Sequence, residues 1–172
     1  MCGRFSLAYT HTRLINWYHA NLMSDIALRY NIAPTTHILT VRDGEDGRVG
    51  SMMRWGLIPK WAIETKKLPL LFNARAETIL DKPIFKQSFR HRRCIIPASG
   101  FFEWKQLAGG TSKQPFYISA KVGNPLSLGG IWETNQSTDG TVIESCSIIT
   151  TDSNSFLQDI HNRMPLILPA EA

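Results

Sequence analysis

What most restricts the fold of this chain is its rhythm of short apolar runs cut by turn-forming residues. His37 to Arg42 and Arg48 to Trp55 flank the turn Asp43-Gly44-Glu45-Asp46-Gly47 and predict a hairpin. Cys94 to Pro97, Gly100 to Lys105, Pro115 to Ala120, Leu126 to Trp132 and Glu144 to Thr150 follow as further strands, and Gly109-Gly110 marks a second hairpin turn. Gly3 to Ala8 predicts a short first strand and Met164 to Leu168 a last one. Many short strands with turn residues between them favour a curled sheet or partial barrel. The expected fold class is α+β: one β-rich domain over residues 1–172, with a strongly curled, partly barrel-like mixed or antiparallel sheet and a few short helices.

Helical signals are few. Thr10 caps a segment with Leu14, Trp17, Tyr18 and Leu22 at helical spacing. Asp81-Lys82-Pro83 resembles a second helix start, with a capping residue before a proline in the first turn, running to about Arg90. Asp152 to Gln158 predicts a short helix, and Pro169-Ala170-Glu171 the opening of another. Arg29 to Ala33 reads as an extended loop stopped by Pro34. Trp55, beside Gly56 and Leu57, is a candidate core residue.

Composition narrows the class. The chain is 43% hydrophobic and 19% charged, as soluble globular proteins are, with no charged leader before an apolar stretch and no long apolar run. Three widely spaced cysteines, Cys2, Cys94 and Cys146, suit neither a disulfide framework nor a metal site. They fit a reducing cytoplasmic or nuclear setting, with Cys94 and Cys146 as buried thiols. The net charge of +5 is uneven: residues 54 to 93 hold ten Lys or Arg against three acids. Such a segment is either a solvated surface or the footprint of a polyanion. The interleaved rings Trp55, Trp61, Phe72, Phe85 and Phe89 suit single-stranded nucleic acid, where bases stack on aromatic platforms.

Five places can carry chemistry. Removal of Met1 would leave Cys2 with an amine and a thiol on one skeleton, a reagent that captures aldehydes as a five-membered thiazolidine; alternatively Cys2 merely follows the initiator. Asn73, Arg75 and Glu77 alternate in an extended segment, so they project to one side. Arg75 there either holds a phosphate or pairs with Glu77. Glu103 is flanked by Phe101, Phe102 and Trp104. Buried among them its pKa would rise toward neutrality, as a general acid–base needs, whereas on a half-exposed strand it would face out. His161 lies in a polar loop, where it is either a proton-transfer group, as histidine suits, or an ordinary surface histidine. Trp61 after Pro59-Lys60 is either a stacking ring or core.

Together the segments Met1 to Phe5, Arg29 to Pro34, Trp55 to Trp61, Asn73 to Thr78, Cys94 to Lys105 and Ile160 to Leu168 resemble the SOS-response-associated peptidase family, in order along nearly the whole chain. The resemblance implies a protein that senses abasic sites in single-stranded DNA and crosslinks to them through Cys2, and that removes its own Met1. It implies that Asn73 orients the α-amine and sugar oxygens, Glu103 shuttles protons, and His161 assists Schiff-base formation, its reversal and lyase-type cleavage. Gly3, Arg4, Pro34, Trp61, Arg75 and Thr150 match positions that hold the DNA backbone and bases. No cofactor, metal or membrane is implied, and nothing calls for more than a monomer. Two positions depart from the pattern. Ala62 stands where relatives often have a second aromatic, and Pro83, with Lys82 beside it, stands in place of a basic DNA-contacting residue. Relatives commonly continue for several tens of residues past the Ile160 to Pro165 segment, so a C-terminal truncation is expected. Two other functions stay open: an N-terminal-nucleophile peptidase or amidase using Cys2, Glu103 and His161, and a non-covalent nucleic-acid binding module.

Overall fold

The strongest strands are those whose residues are buried on both faces, and they close on themselves. The computed structural model describes residues 2–22, 25–62, 69–107, 109–137 and 139–169. In chain order these form β1 (Phe5–Leu7), α1 (His11–Tyr18), β2 (Ala20–Leu22), β3 (Arg29–Ile32), β4 (His37–Gly44), β5 (Gly47–Trp55), β6 (Asn73–Arg75), α2 (Pro83–His91), β7 (Arg93–Ala98), β8 (Gly100–Gln106), β9 (Lys113–Ser119), β10 (Leu126–Gln136), β11 (Val142–Asp152), β12 (Arg163–Pro165) and β13 (Ile167–Leu168). Strands β11, β10, β7, β4 and β5 follow one another, and a parallel pairing of β11 with β5, Ser145 to Arg54 and Cys146 to Trp55, closes a five-stranded mixed barrel. The β-rich α+β architecture expected from the turn spacing is what the chain adopts.

A second, four-stranded sheet in the order β3-β1-β8-β9 stands beside the barrel. It carries the amino terminus antiparallel along β8: Phe5 faces Phe101, Ser6 faces Gly100, and the Phe102 N–H donates to the Arg4 carbonyl at 2.9 Å. Trp55 joins the two sheets. Its ring is fully buried, meets Phe5 edge-on at 5.2 Å and Phe72 at 6.1 Å, and its Nε1–H donates to the Phe72 carbonyl at 2.9 Å. Cys94 and Cys146 are buried free thiols.

Several local expectations are corrected. The Thr10 hydroxyl does cap α1, accepting from the Arg13 N–H at 3.3 Å, but the helix stops at His19, which takes a left-handed conformation. Leu22 therefore lies on β2, parallel to β5, because sheet pairing overrides the helical spacing. Arg29 to Ile32 is a strand rather than a loop, since β1 offers an edge for it to pair with. Lys82, not Asp81, is the residue before α2, and no side chain caps that helix. Asp152 ends β11 and the residues from Ser155 on form turns instead of the helix expected over Asp152 to Gln158, and Met164 to Leu168 is split between β12 and β13. Ala170 and Glu171, in the expected final helix, lie outside the described residues. Among the described residues no helix is long and apolar enough to cross a membrane.

Gly100 fixes how β9 lies on β8. A Cβ there would meet the Ile118 carbonyl oxygen at 2.5 Å and the Tyr117 ring and hydroxyl at 2.5 and 2.6 Å. Tyr117 cannot simply swing aside, because its hydroxyl bonds Ser6 Oγ at 2.8 Å and its ring packs on Phe102. Gly100→Ala is expected to destabilise the fold by about 1–3 kcal/mol, the usual penalty of overpacking, read as a lower midpoint in urea denaturation.

Candidate active site

Strand alternation decides which residues of Gly100 to Trp104 face inward. With Phe101 in the core, Glu103 two positions on points to the same side and is only 3% exposed, while Trp104 is partly open to solvent. The outward alternative for Glu103 is thereby ruled out. Burial pushes the Glu103 carboxyl above the usual carboxylate range, partly offset by the charge of the amino terminus and by His161.

Cys2 arrives at the same place because β1 runs antiparallel to β8. It is fully buried, and the thiol is pushed up to about 12, first by burial and then by the negative charge of Glu103; the amino-terminal charge and the Arg4 N–H act in the opposite direction. In the encoded chain Cys2 is thus enclosed, since the segment that delivers it also packs it into the core.

His161 reaches Glu103 from a different element, the turn before β12, with Nε2 at 4.0 Å from Glu103 Oε2. The Arg163 N–H lies 3.0 Å from His161 Nδ1 and the Arg163 carbonyl 3.2 Å from the same nitrogen, so the backbone of Arg163 holds that edge of the ring while Nε2 faces the carboxylate. Glu103, Trp104, Lys113 and His161 line an open cleft of ≈ 380 Å³. Asn73 opens β6, which pairs in parallel with β11, opposite Ile148. Its Nδ2 donates to the Phe72 carbonyl at 3.0 Å, and its Oδ1 is buried with no hydrogen-bond partner among the described residues. Glu103 is therefore within electrostatic reach of both Cys2 and His161. Asn73 follows Phe72, whose ring meets Trp55 in the core. Among the described residues no three His, Cys, Asp or Glu side chains are grouped as metal ligands would be.

The remaining expected contacts are distributed around this corner. Arg4 is half-buried and donates to Asn31 Oδ1 at 3.0 Å, with half-buried Gly3 before it. Arg75 is exposed and lies opposite Thr150 in the β6–β11 pairing. Thr150 itself is buried, its hydroxyl within 3.3 Å of Arg163. Pro34 sits in a turn that forces Thr35 to a φ of 75°, an uncommon and strained conformation for a β-branched residue. Trp61 is 66% exposed, so of its two readings the surface one holds.

Sequence reasoning missed Arg163. It is buried, donates to both Glu77 oxygens at 2.9 Å, to Asp152 at 2.6 Å and to the Thr150 carbonyl at 2.8 Å. Glu77 pairs with Arg163 rather than with Arg75, and Arg75 is left without an ion pair among the described residues. The same residue orients His161 through its backbone, so this network ties β11, β12 and the 3-10 turn Ala76–Thr78 into one support, and the extended run expected over Asn73 to Glu77 ends at Arg75. Nothing local in the sequence signals it, because its members are scattered over the chain. Arg163 holds the Glu77 carboxyl down at about 2. A depressed carboxylate adds stability that is present above its unfolded value of about 4.3 and lost as pH falls toward about 2. The melting temperature of the wild type should therefore drop more steeply between about pH 4.5 and 2 than that of Glu77→Gln, measured by circular dichroism. Equal slopes would deny the pairing any role in stability.

Comparison with known proteins adds a lineage to this geometry. A family model described as SOS response associated peptidase (SRAP) matches residues 1–172. Abasic site processing protein YoqW of Bacillus subtilis is 41% identical over 99% of this chain and 77% of its own length. Abasic site processing protein YedK of Escherichia coli is 34% identical over 100% of the chain and 77% of its own. Among solved structures, a protein from Bacteroides thetaiotaomicron superposes with a TM-score of 0.87 at 30% identity, covering 99% of this chain and 78% of that one.

Proposed function

We propose the following because the chain belongs to the SOS response associated peptidase (SRAP) family: it processes abasic sites in single-stranded DNA by covalent capture. Met1 is removed, and the amine of Cys2 adds to the C1′ aldehyde of the ring-opened deoxyribose. Loss of water gives a Schiff base. The Cys2 thiol then adds to the imine carbon and passes its proton on, leaving a thiazolidine that shields the strand. The net reaction is aldehyde plus aminothiol to thiazolidine plus water.

The observation that supports this most directly is that Glu103 acts electrostatically on Cys2 and faces His161, and that Glu103 and His161 line one open cleft. A carboxyl raised by burial keeps its proton to higher pH than a free one and sits where addition of the amine and departure of water need a proton carrier. With the thiol pushed up to about 12, ring closure needs a base at hand, and Glu103 is the charged neighbour. His161 moves the second proton and serves Schiff-base reversal and lyase-type elimination of the 3′ phosphate. Asn73 Oδ1, a buried acceptor, holds the α-amine. Gly3, Arg4, Pro34 and Arg75 contact the strand, Trp61 stacks on a base, and Thr150 contributes next to Arg75. The protein works in the cytoplasm, on the nucleoid, in a bacterium, or in the nucleus of a eukaryote, and as a monomer.

The test is intact mass before and after adding an oligonucleotide with one abasic site. The first spectrum should lack Met1, and the second should show the sum of protein and DNA less one water. Retention of Met1 with no mass gain would sink the proposal and favour a non-covalent binding module.

A further inference from the structure

Asn135 is out of character for its position. It is the last residue but one of β10, opposite Ile143 on β11, and is only 4% exposed. Asparagine is disfavoured in strands, and a buried amide is costly unless its hydrogens are satisfied. Here they are satisfied entirely by one loop. Asn135 Nδ2 lies 2.9 Å from the Pro59 carbonyl, 3.2 Å from that of Lys60 and 2.8 Å from that of Ala62. An amide offers two hydrogens, so three carbonyls converge on two donors. The Ala62 N–H also closes onto the Pro59 carbonyl at 2.9 Å, and the Ile58 N–H is held by Ser145 Oγ on β11 at 2.8 Å. The residue at the centre of this loop is Trp61, whose ring stands in solvent. A large exposed aromatic on a backbone fastened from below is a pre-organised platform: little freedom remains to be lost when something stacks on it.

We propose that Asn135 is a positioning residue for DNA binding, acting through Trp61 by fixing the Pro59–Ala62 loop. This rests on the reading that Trp61 stacks on a base. Asn135 is on the barrel hairpin, lies in none of the segments that face Glu103 and His161, and touches no DNA itself.

The test is a double-mutant cycle on the full chain, with an undamaged, fluorescently labelled single-stranded oligonucleotide and affinity read by anisotropy. Trp61→Ala is expected to weaken binding about 5- to 150-fold, the range for loss of one base–aromatic stack. Asn135→Asp keeps the size but sets a carboxylate against three carbonyls, and should weaken binding by at least about 5-fold. The double variant should bind no more weakly than Trp61→Ala, because the platform and its support act as one unit. A merely structural role for Asn135 would lower the melting temperature and add its loss to that of Trp61, and additive losses would overturn the proposal. So would wild-type affinity in Asn135→Asp alongside weak binding by Trp61→Ala. Wild-type affinity in Trp61→Ala would instead remove the stacking role, and the positioning role with it. If Asn135→Asp does not fold, Asn135→Ala removes the donors without adding charge and enters the same cycle.

Discussion

Cys2→Ala protein will form no heat-stable adduct with an abasic single-stranded oligonucleotide, and Cys2→Ser will form only an adduct that needs borohydride reduction to survive. Both variants keep an amino-terminal amine able to make a Schiff base, but neither can close the thiazolidine. Intramolecular ring closure acts as if the thiol were present at about 10⁵–10⁸ M, so its removal should lower the yield of stable adduct by at least about 100-fold. Leaving a residue in front of Cys2 should do the same, since the free amine is then too far along the chain for a five-membered ring. The measurement is a denaturing gel after heating. Stable adducts at wild-type yield from both variants would show that the thiol is not the trapping group. The burial of Cys2 adds a second expectation. A thiol held near 12 is almost wholly protonated at neutral pH, so it does not act as a free thiolate, and its reaction depends on a neighbouring base.

Glu103→Gln should make the protein more stable and nearly inactive. The folded carboxyl holds its proton more tightly than the unfolded one, because burial outweighs the attraction of the amino terminus and His161. For a group shifted upward, the stability tied to its neutral form is fully present below the unfolded value of about 4.3 and is lost as pH rises through the folded value. As pH rises above the unfolded value the wild type bears a growing part of the penalty of a buried carboxylate, and the neutral amide of the same shape removes it. The melting temperature should therefore rise at pH 7 and converge with the wild type below about pH 4. Crosslinking should slow by about 10²- to 10⁴-fold, the usual contribution of a positioned acid–base. A variant destabilised at pH 7, or one that crosslinks at the wild-type rate, would remove Glu103 from this role. The combination of gained stability and lost activity separates a functional buried charge from a structural one.

The β-rich barrel was legible because turn residues punctuate this chain at short intervals, and the hairpin of β4 and β5 falls where Asp43 to Gly47 announces it. Helix α1 was legible from Thr10 and Leu14, but its end was not. His19 takes its left-handed conformation so that Ala20 to Leu22 can pair with β5, and that strand lies beyond any local window. Glu103 was noticed because a carboxylate among aromatics is unusual; its direction depended on which of two alternating faces meets the core. Trp104 was noticed only as a sequence neighbour of Glu103, and the places of Lys113 and Arg163 were not legible at all. The first two meet at the cleft through the register of β8 and β9, which the turn Gly109-Gly110 signals without specifying. Arg163 gathers Glu77, Asp152 and Thr150 from separate segments.

By itself the sequence determined the chemistry on offer: an amine and thiol one bond from the processing point, a carboxyl in apolar company, an imidazole, and cations with interleaved rings. Local composition carries that information, because reactivity belongs to side chains and turns to single residues. Only the tertiary structure decided that Cys2 and Glu103 are buried together, that Glu77 answers Arg163 and leaves Arg75 exposed, and that Asn135 fastens the loop of Trp61. Those outcomes depend on strand register and on burial shared between distant segments, and burial is what sets both the pKa values and the rigidity of the site.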